Sequence, residues 1–133
     1  MQSTPISEQL LNAQHDGEIR NLEAAMMHLT FENTINGKFY KLAGFGRDQA
    51  RNSQCQFDAK DRRRMNVLDY WDRQARDNGR SIQFRHGNLR PVKVKQGRNF
   101  IEIPAECCKL LPGQKPKVHF FSCKIEFLFS IFV

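Results

Sequence analysis

The sequence is poor in the features that announce catalysis or membrane insertion. It contains no G-x-x-x-x-G-K-[ST] string, so no phosphate-cradling P-loop is expected. It contains no C-x-x-C and no Cys/His spacing suited to zinc. The four cysteines stand at 55, 107, 108 and 123. Adjacent Cys107 and Cys108 are poorly placed to bridge one another, so reduced thiols in a cytoplasmic or nuclear protein are expected. His15, His28, His86 and His119 share no motif, and no clustered carboxylates accompany them. No metal, cofactor or enzymatic activity is therefore expected. No apolar stretch follows Met1, so no secretory signal is expected. Residues 120–133 are the greasiest part of the chain, with ten apolar residues out of 14. That is too short for a bilayer, which needs about 20 residues.

What is present is a basic body. The 133 residues carry 21 Lys plus Arg against 14 Asp plus Glu, a formal balance of +7. Residues 119–133 hold one Lys and one Glu, so the whole excess lies in the first 118, while the last 14 residues hold five of the eleven Phe. With 40% apolar and 26% charged residues the chain is a folding one rather than a disordered one. Its length suits one domain, which at this size buries about two-thirds of its unfolded surface.

Residues 1–21 are polar, with a short helical possibility at Ser7–Ala13, and are expected to be a lead-in. From there Met27–Phe31 alternates at period two, as a strand does. Asn36–Gly37 is the strongest turn signal in the chain and predicts a hairpin with Lys38–Phe45. Gln54–Asp58 fits a short strand and Lys60–Arg64 a charged turn. Asn66 is placed as a helix N-cap, with Asp69 three residues on. Val67, Tyr70, Trp71 and Gln74 then share one helical face, and Asn78–Gly79 is the stop. Ser81–Arg85 is expected to be extended, and Pro91–Lys95 and Asn99–Ile103 to form a hairpin across Gln96–Gly97–Arg98. Pro104 suits the first turn of a helix over Ala105–Leu111, ended by Pro112–Gly113. Several short strands with one longer helix among them predict an α+β fold, a small β-barrel with an inserted module.

The second half carries a recognisable string. It comprises Val67–Leu68–Asp69–Tyr70–Trp71, then Leu89–Arg90–Pro91–Val92–Lys93–Val94, then Ile101–Glu102–Ile103–Pro104–Ala105–Glu106–Cys107–Cys108–Lys109–Leu110–Leu111–Pro112–Gly113–Gln114. This resembles the PAZ domain of Argonaute and Piwi proteins. There a V-x-[DE]-Y-F helix precedes an L-P-x-[LV]-x-V strand, and the domain closes on Y-L-P-x-E-x-C-x-[IL]-x-x-G-Q. Gly37–Lys38–Phe39–Tyr40–Lys41–Leu42–Ala43–Gly44–Phe45 is similar to the family's R-K-Y-x-[IV]-x-G-[LF] strand. The match runs over about residues 22–117, so the expected layout is a lead-in at 1–21, a PAZ-like domain at 22–118 and an apolar tail at 119–133.

The resemblance implies an OB-like barrel with an inserted β-hairpin and helix. It also implies a non-catalytic module that binds the 3′ end of single-stranded or overhanging small RNA. Tyr70 is similar to the helix tyrosine that contacts phosphate, Lys38 and Tyr40 to the basic residue and tyrosine of the facing strand, and Phe57 to the insertion aromatic beneath the terminal nucleotide. Arg73 and Arg76 are added on their own chemistry, as cations on the helix after Tyr70. Aromatic rings stack on unstacked bases and cations track the backbone, which suits these residue types to the task. Trp71 is expected in the core, Arg62–Arg64 in a solvated turn, and Cys107 and Cys108 in helix packing.

Three positions depart from the family pattern: Glu32 and Ala75 where a His, and a Tyr or His, are common, and Glu102 for the tyrosine before Leu-Pro. They support an alternative, a vestigial or protein-interaction module with a degraded RNA pocket, whose partner would be held through the apolar tail. That tail reads either as a last barrel strand or as a departure from the usual coding after Val118. Nothing in it resembles a Piwi or Mid domain, so no slicing activity is expected.

Overall fold

The computed structural model describes residues 4–13, 15–54, 56–58 and 62–115, with only the backbone described at 56–58. The apolar tail at 119–133, Cys55 and Cys123 lie outside the described residues. Nine short strands and three α-helices make up the described fold, a mixture of helix and antiparallel sheet. A four-stranded sheet has the order β1 (Thr4–Pro5), β9 (Cys108–Leu110), β2 (Thr30–Asn33), β3 (Phe39–Lys41). A three-stranded sheet joins β4 (Gly44–Phe45), β7 (Val92–Gln96) and β8 (Asn99–Ile103), and β5 (Gln56–Asp58) pairs with β6 (Arg63–Met65). Among the described residues no sheet closes on itself.

Local chemistry accounts for most of these elements. In the β2–β3 hairpin, Gly37 takes φ of +72°, the left-handed region open to glycine. Asn33 Oδ1 accepts from Ile35 N at 2.9 Å and Asn36 Oδ1 from Lys38 N at 2.9 Å, so two side chains stand in for backbone acceptors in the turn. Helix α3 (Val67–Asp77) starts where Asn66 Oδ1 accepts from Leu68 N at 2.9 Å. It stops at Gly79, again at φ +72°. On β7, Val92 and Val94 are buried while Lys93 and Lys95 face away, the alternation that the sequence shows.

Other segments fold differently from expectation. The segment read as a polar lead-in holds β1, α1 (Ile6–Asn12) and most of α2 (Asp16–Met26). Ile6 and Leu10 are buried in the same core as Phe31, Val67 and Leu110, because two apolar residues on one helical face suffice to dock α1. The strand foreseen at Met27–Phe31 begins only at Thr30, since α2 runs to Met26 and His28 takes φ of 68° to leave it. Lys38–Phe45 is split into β3 and β4, which belong to different sheets. Arg63–Met65 is strand rather than turn, and Ser81–Arg85 forms no strand. The helix expected at Ala105–Leu111 is a single 3₁₀ turn, Ala105–Cys107, followed by β9. There Cys108 and Leu110 point inward on either side of Lys109, a period of two that outweighs the helix-start signal of Pro104. Cys107 and Cys108 are buried as expected, but in a turn and a strand.

One core spans the fold. Leu22, Ala25 and Met26 of α2 and Val67, Trp71 and Ala75 of α3 share this core with the inward residues of both larger sheets, including Phe31, Phe45 and Ile103. Gln114 closes it: Oε1 accepts from Thr30 N at 2.6 Å, and Nε2 donates to Thr30 O at 2.6 Å and Leu111 O at 3.0 Å.

Candidate nucleic-acid interface

Helix α3 organises the candidate site. Beyond capping the helix, Asn66 donates from Nδ2 to the carbonyls of Arg51 (2.7 Å), Ser53 (3.1 Å) and Ala50 (3.3 Å), which fixes the helix start against a 3₁₀ turn at Ala50–Asn52. The inward face carries Val67, Trp71 and Ala75. Trp71 is in the core as expected, and its indole N–H donates to Glu102 O at 2.7 Å. At 100° per residue, Asp69, Asp72, Arg73 and Arg76 fall on the opposite face.

That outer face and β6 form a cleft of about 320 Å³ lined by Arg63, Met65, Asp69, Asp72, Arg73 and Arg76. The structure thus brings Arg73 and Arg76 together and adds Arg63, a residue expected from the sequence in a solvated turn. The missed signal was the strand: Arg63 and Met65 sit two apart and so share one face of β6. Three guanidinium groups face two carboxylates here, and Arg76 pairs with Asp72 at 3.1 Å. The cleft is weakly cationic, with part of its charge already answered from within the helix.

Tyr70 lies off this cleft, half-buried, its ring edge-on to Trp71 at a centroid distance of 5.0 Å. Tyr40 is on β3, opposite Phe31 in register, with the two rings stacked at 5.9 Å. Its hydroxyl accepts from Asn36 Nδ2 at 3.1 Å. Tyr40 is therefore partly a core residue, and its neighbour Phe39 turns outward with 61% exposure. Lys38 is exposed in the turn just before the same strand. Phe57 pairs with Arg64 in the β5–β6 register, and its side chain lies outside the described residues. The hairpin carrying Lys38 and Tyr40 is tied to the far end of α3 by Arg80, whose guanidinium donates to Thr34 O. Arg80 was not singled out from sequence, because its role depends on a carbonyl remote in the chain.

The three departing positions have distinct surroundings. Ala75 is fully buried on the inward face of α3. Glu32 is half-buried and stands in register between Phe39 and Lys109. Glu102 lies opposite Lys93, and its Oε1 accepts from Ser53 Oγ at 2.8 Å. Burial pushes the Cys107 thiol up to about 12, with the Glu106 carboxylate adding to the shift. Cys108 is raised as well, by burial first and by Cys107 second. Neither thiol is a nucleophile at neutral pH. Among the described residues no group of three His, Cys, Asp or Glu is placed to hold a metal ion, and no helix is long and apolar enough to cross a membrane.

No protein-family model matches the chain, and no curated protein sequence matches it. Solved structures do. A structure of the Drosophila Argonaute 2 PAZ domain, described for 3′ end recognition of nucleic acids, superposes with a TM-score of 0.56 at 20% identity, covering 84% of this chain and 97% of the other. A second structure of the Drosophila Argonaute2 PAZ domain, described with its nucleic acid binding, gives a TM-score of 0.56 at 18% identity, covering 81% and 98%. At these identities the likeness speaks for the architecture, over nearly the whole of each compared domain: this chain has the fold of a PAZ-like domain.

Proposed function

We propose that the chain is a non-catalytic RNA-binding module that takes the 3′ end of single-stranded or overhanging small RNA. The observation that carries this reading is the PAZ-like fold, since the compared domains are described for nucleic acid binding and 3′ end recognition. The reading takes the two larger sheets as the halves of an OB-like barrel, with β5–β6 and α3 inserted between β4 and β7. Tyr70 and Phe57 supply aromatic contacts, Lys38 and Tyr40 the facing strand, and Arg73 and Arg76 the phosphate-attracting flank.

A titration of labelled single-stranded RNA at two salt concentrations tests it, with a 3′-phosphorylated competitor. Expected are salt-sensitive binding, weak competition by the blocked RNA, and a loss of about tenfold or more in Tyr70→Ala and Phe57→Ala. Equal binding of blunt duplex, or indifference to both substitutions, overturns it. A second reading, a protein-interaction module on a decayed pocket, draws on Asp69 and Asp72 in the α3 cleft and on the buried Ala75. It predicts no salt-sensitive RNA binding at all.

A further inference from the structure

The β7–β8 hairpin has two unlike faces. Val92, Val94 and Ile103 turn into the core. The other face presents Lys93 opposite Glu102 and Lys95 opposite Phe100, with Arg98 in the turn that the Gln96–Asn99 pair closes. Phe100 is 50% exposed, and Lys93 Nζ sits 4.7 Å from its ring centroid. The one carboxylate on this face, Glu102, accepts from Ser53. Among the described residues, Lys93, Lys95 and Arg98 form no ion pair with a carboxylate. The face begins beside α3, because Glu102 O is the acceptor for the Trp71 indole.

We propose that this outer face is a second contact surface for single-stranded nucleic acid. A base stacks on Phe100, and Lys93, Lys95 and Arg98 attract the flanking phosphates. The proposal rests on the RNA reading above and extends it from the terminal nucleotide to the strand leading to it. Cations alone would attract any polyanion. The half-exposed ring among them selects a strand with unstacked bases, since a duplex keeps its base faces covered. Lys93 steadies the ring through a cation–π contact and adds charge at the stacking position.

The test uses the full chain with two oligoribonucleotides sharing one 3′ end, of about four and about twelve nucleotides, a short and a long length within the usual footprint of a small single-strand-binding fold. Expected is that Phe100→Ala weakens the longer RNA about tenfold, leaves the shorter unchanged, and that Phe100→Trp restores binding. Lys95→Ala with Arg98→Ala should lower the salt slope for the longer RNA by about 1.4. An unchanged thermal midpoint shows that these exposed-site variants fold. The proposal is overturned if Phe100→Ala affects both RNAs equally or neither, or if a polyglutamate peptide competes as well as RNA. If the longer RNA depends on Phe100 but ignores a blocked 3′ end, this surface stands and the 3′-end reading falls. If 3′-dependent binding of the shorter RNA persists while Phe100→Ala does nothing to the longer, only this proposal falls.

Discussion

The indole of Trp71 donates to the main-chain carbonyl of Glu102 at 2.7 Å, and this one bond fastens helix α3 to the β7–β8 hairpin. It links the cleft-bearing helix to the cationic sheet face through a buried ring. Trp71→Phe keeps most of the packing but leaves that carbonyl without its donor. A loss of about 1–3 kcal/mol in chemical denaturation is expected. A loss confined to a few tenths would mean that water replaces the indole at no cost.

Asn66 is the second fastening. Its amide both caps α3 and binds three carbonyls between Ala50 and Ser53. Asn66→Ala should cost about 2–4 kcal/mol, more than a simple cap, because the carbonyls lose their donor as well. Asn66→Asp keeps the cap acceptor but sets a carboxylate against those carbonyls. It should be less stable than wild type at neutral pH and recover part of the loss on acidification, which denaturation at two pH values reads directly.

In the α3 cleft, Asp72 engages Arg76 at 3.1 Å. Asp72→Asn should therefore release the guanidinium, tighten RNA binding a few-fold and steepen its salt dependence by up to about 0.7, the contribution of one phosphate contact to a single strand. Arg76→Ala should do the reverse. Identical isotherms for the two variants would remove this cleft from the binding surface.

The buried thiols set an alkaline limit. Cys107 is pushed from the usual 9.0 to about 12, and Cys108 is raised in the same direction. The folded state holds these protons while the unfolded chain releases them above about pH 9, so stability falls as pH rises from there. The expected slope is about 1.4 kcal/mol per pH unit for each thiol, up to the folded-state value. A chain with Cys107→Ala and Cys108→Ala should lose this limb of the profile, whatever its stability at neutral pH. In the native wild type both thiols should resist alkylation until the chain unfolds.

The elements legible in the sequence are those whose signals lie within a few residues of their effect. Asn66 and Gly79 bracket α3, Asn36–Gly37 and Gly97 mark two hairpins, and the Val–Lys alternation of β7 declares which face is wet. The elements that escaped depend on distant partners. β9 is three residues long and becomes a strand only because β1 and β2 pair with its two edges. Pro104 just before it carries a helix-start signal that the sheet overrides after one turn. In the same way Ile6 and Leu10 look sparse in a polar stretch, yet they dock on apolar residues drawn from the rest of the chain. The site was legible in part. Arg73 and Arg76 meet because helical periodicity is local, whereas Arg63 and Arg80 join through pairings that no short motif records.

The position of β9 has a consequence for biosynthesis. It is made after every other described strand and helix, yet it lies between β1 and β2, which are made before every other described strand. A growing chain cannot assemble the four-stranded sheet from the amino end onward, because the strand that joins β1 to β2 has not yet left the ribosome. Thr30 likewise waits for Gln114. The early hairpin can form during synthesis, but the sheet completes in one late step, when nearly every residue of the domain is already present. A ribosome that stalls before Cys108 therefore carries a chain whose three-stranded sheet and helices are made, but whose β1 and β2 still lack the strand that joins them.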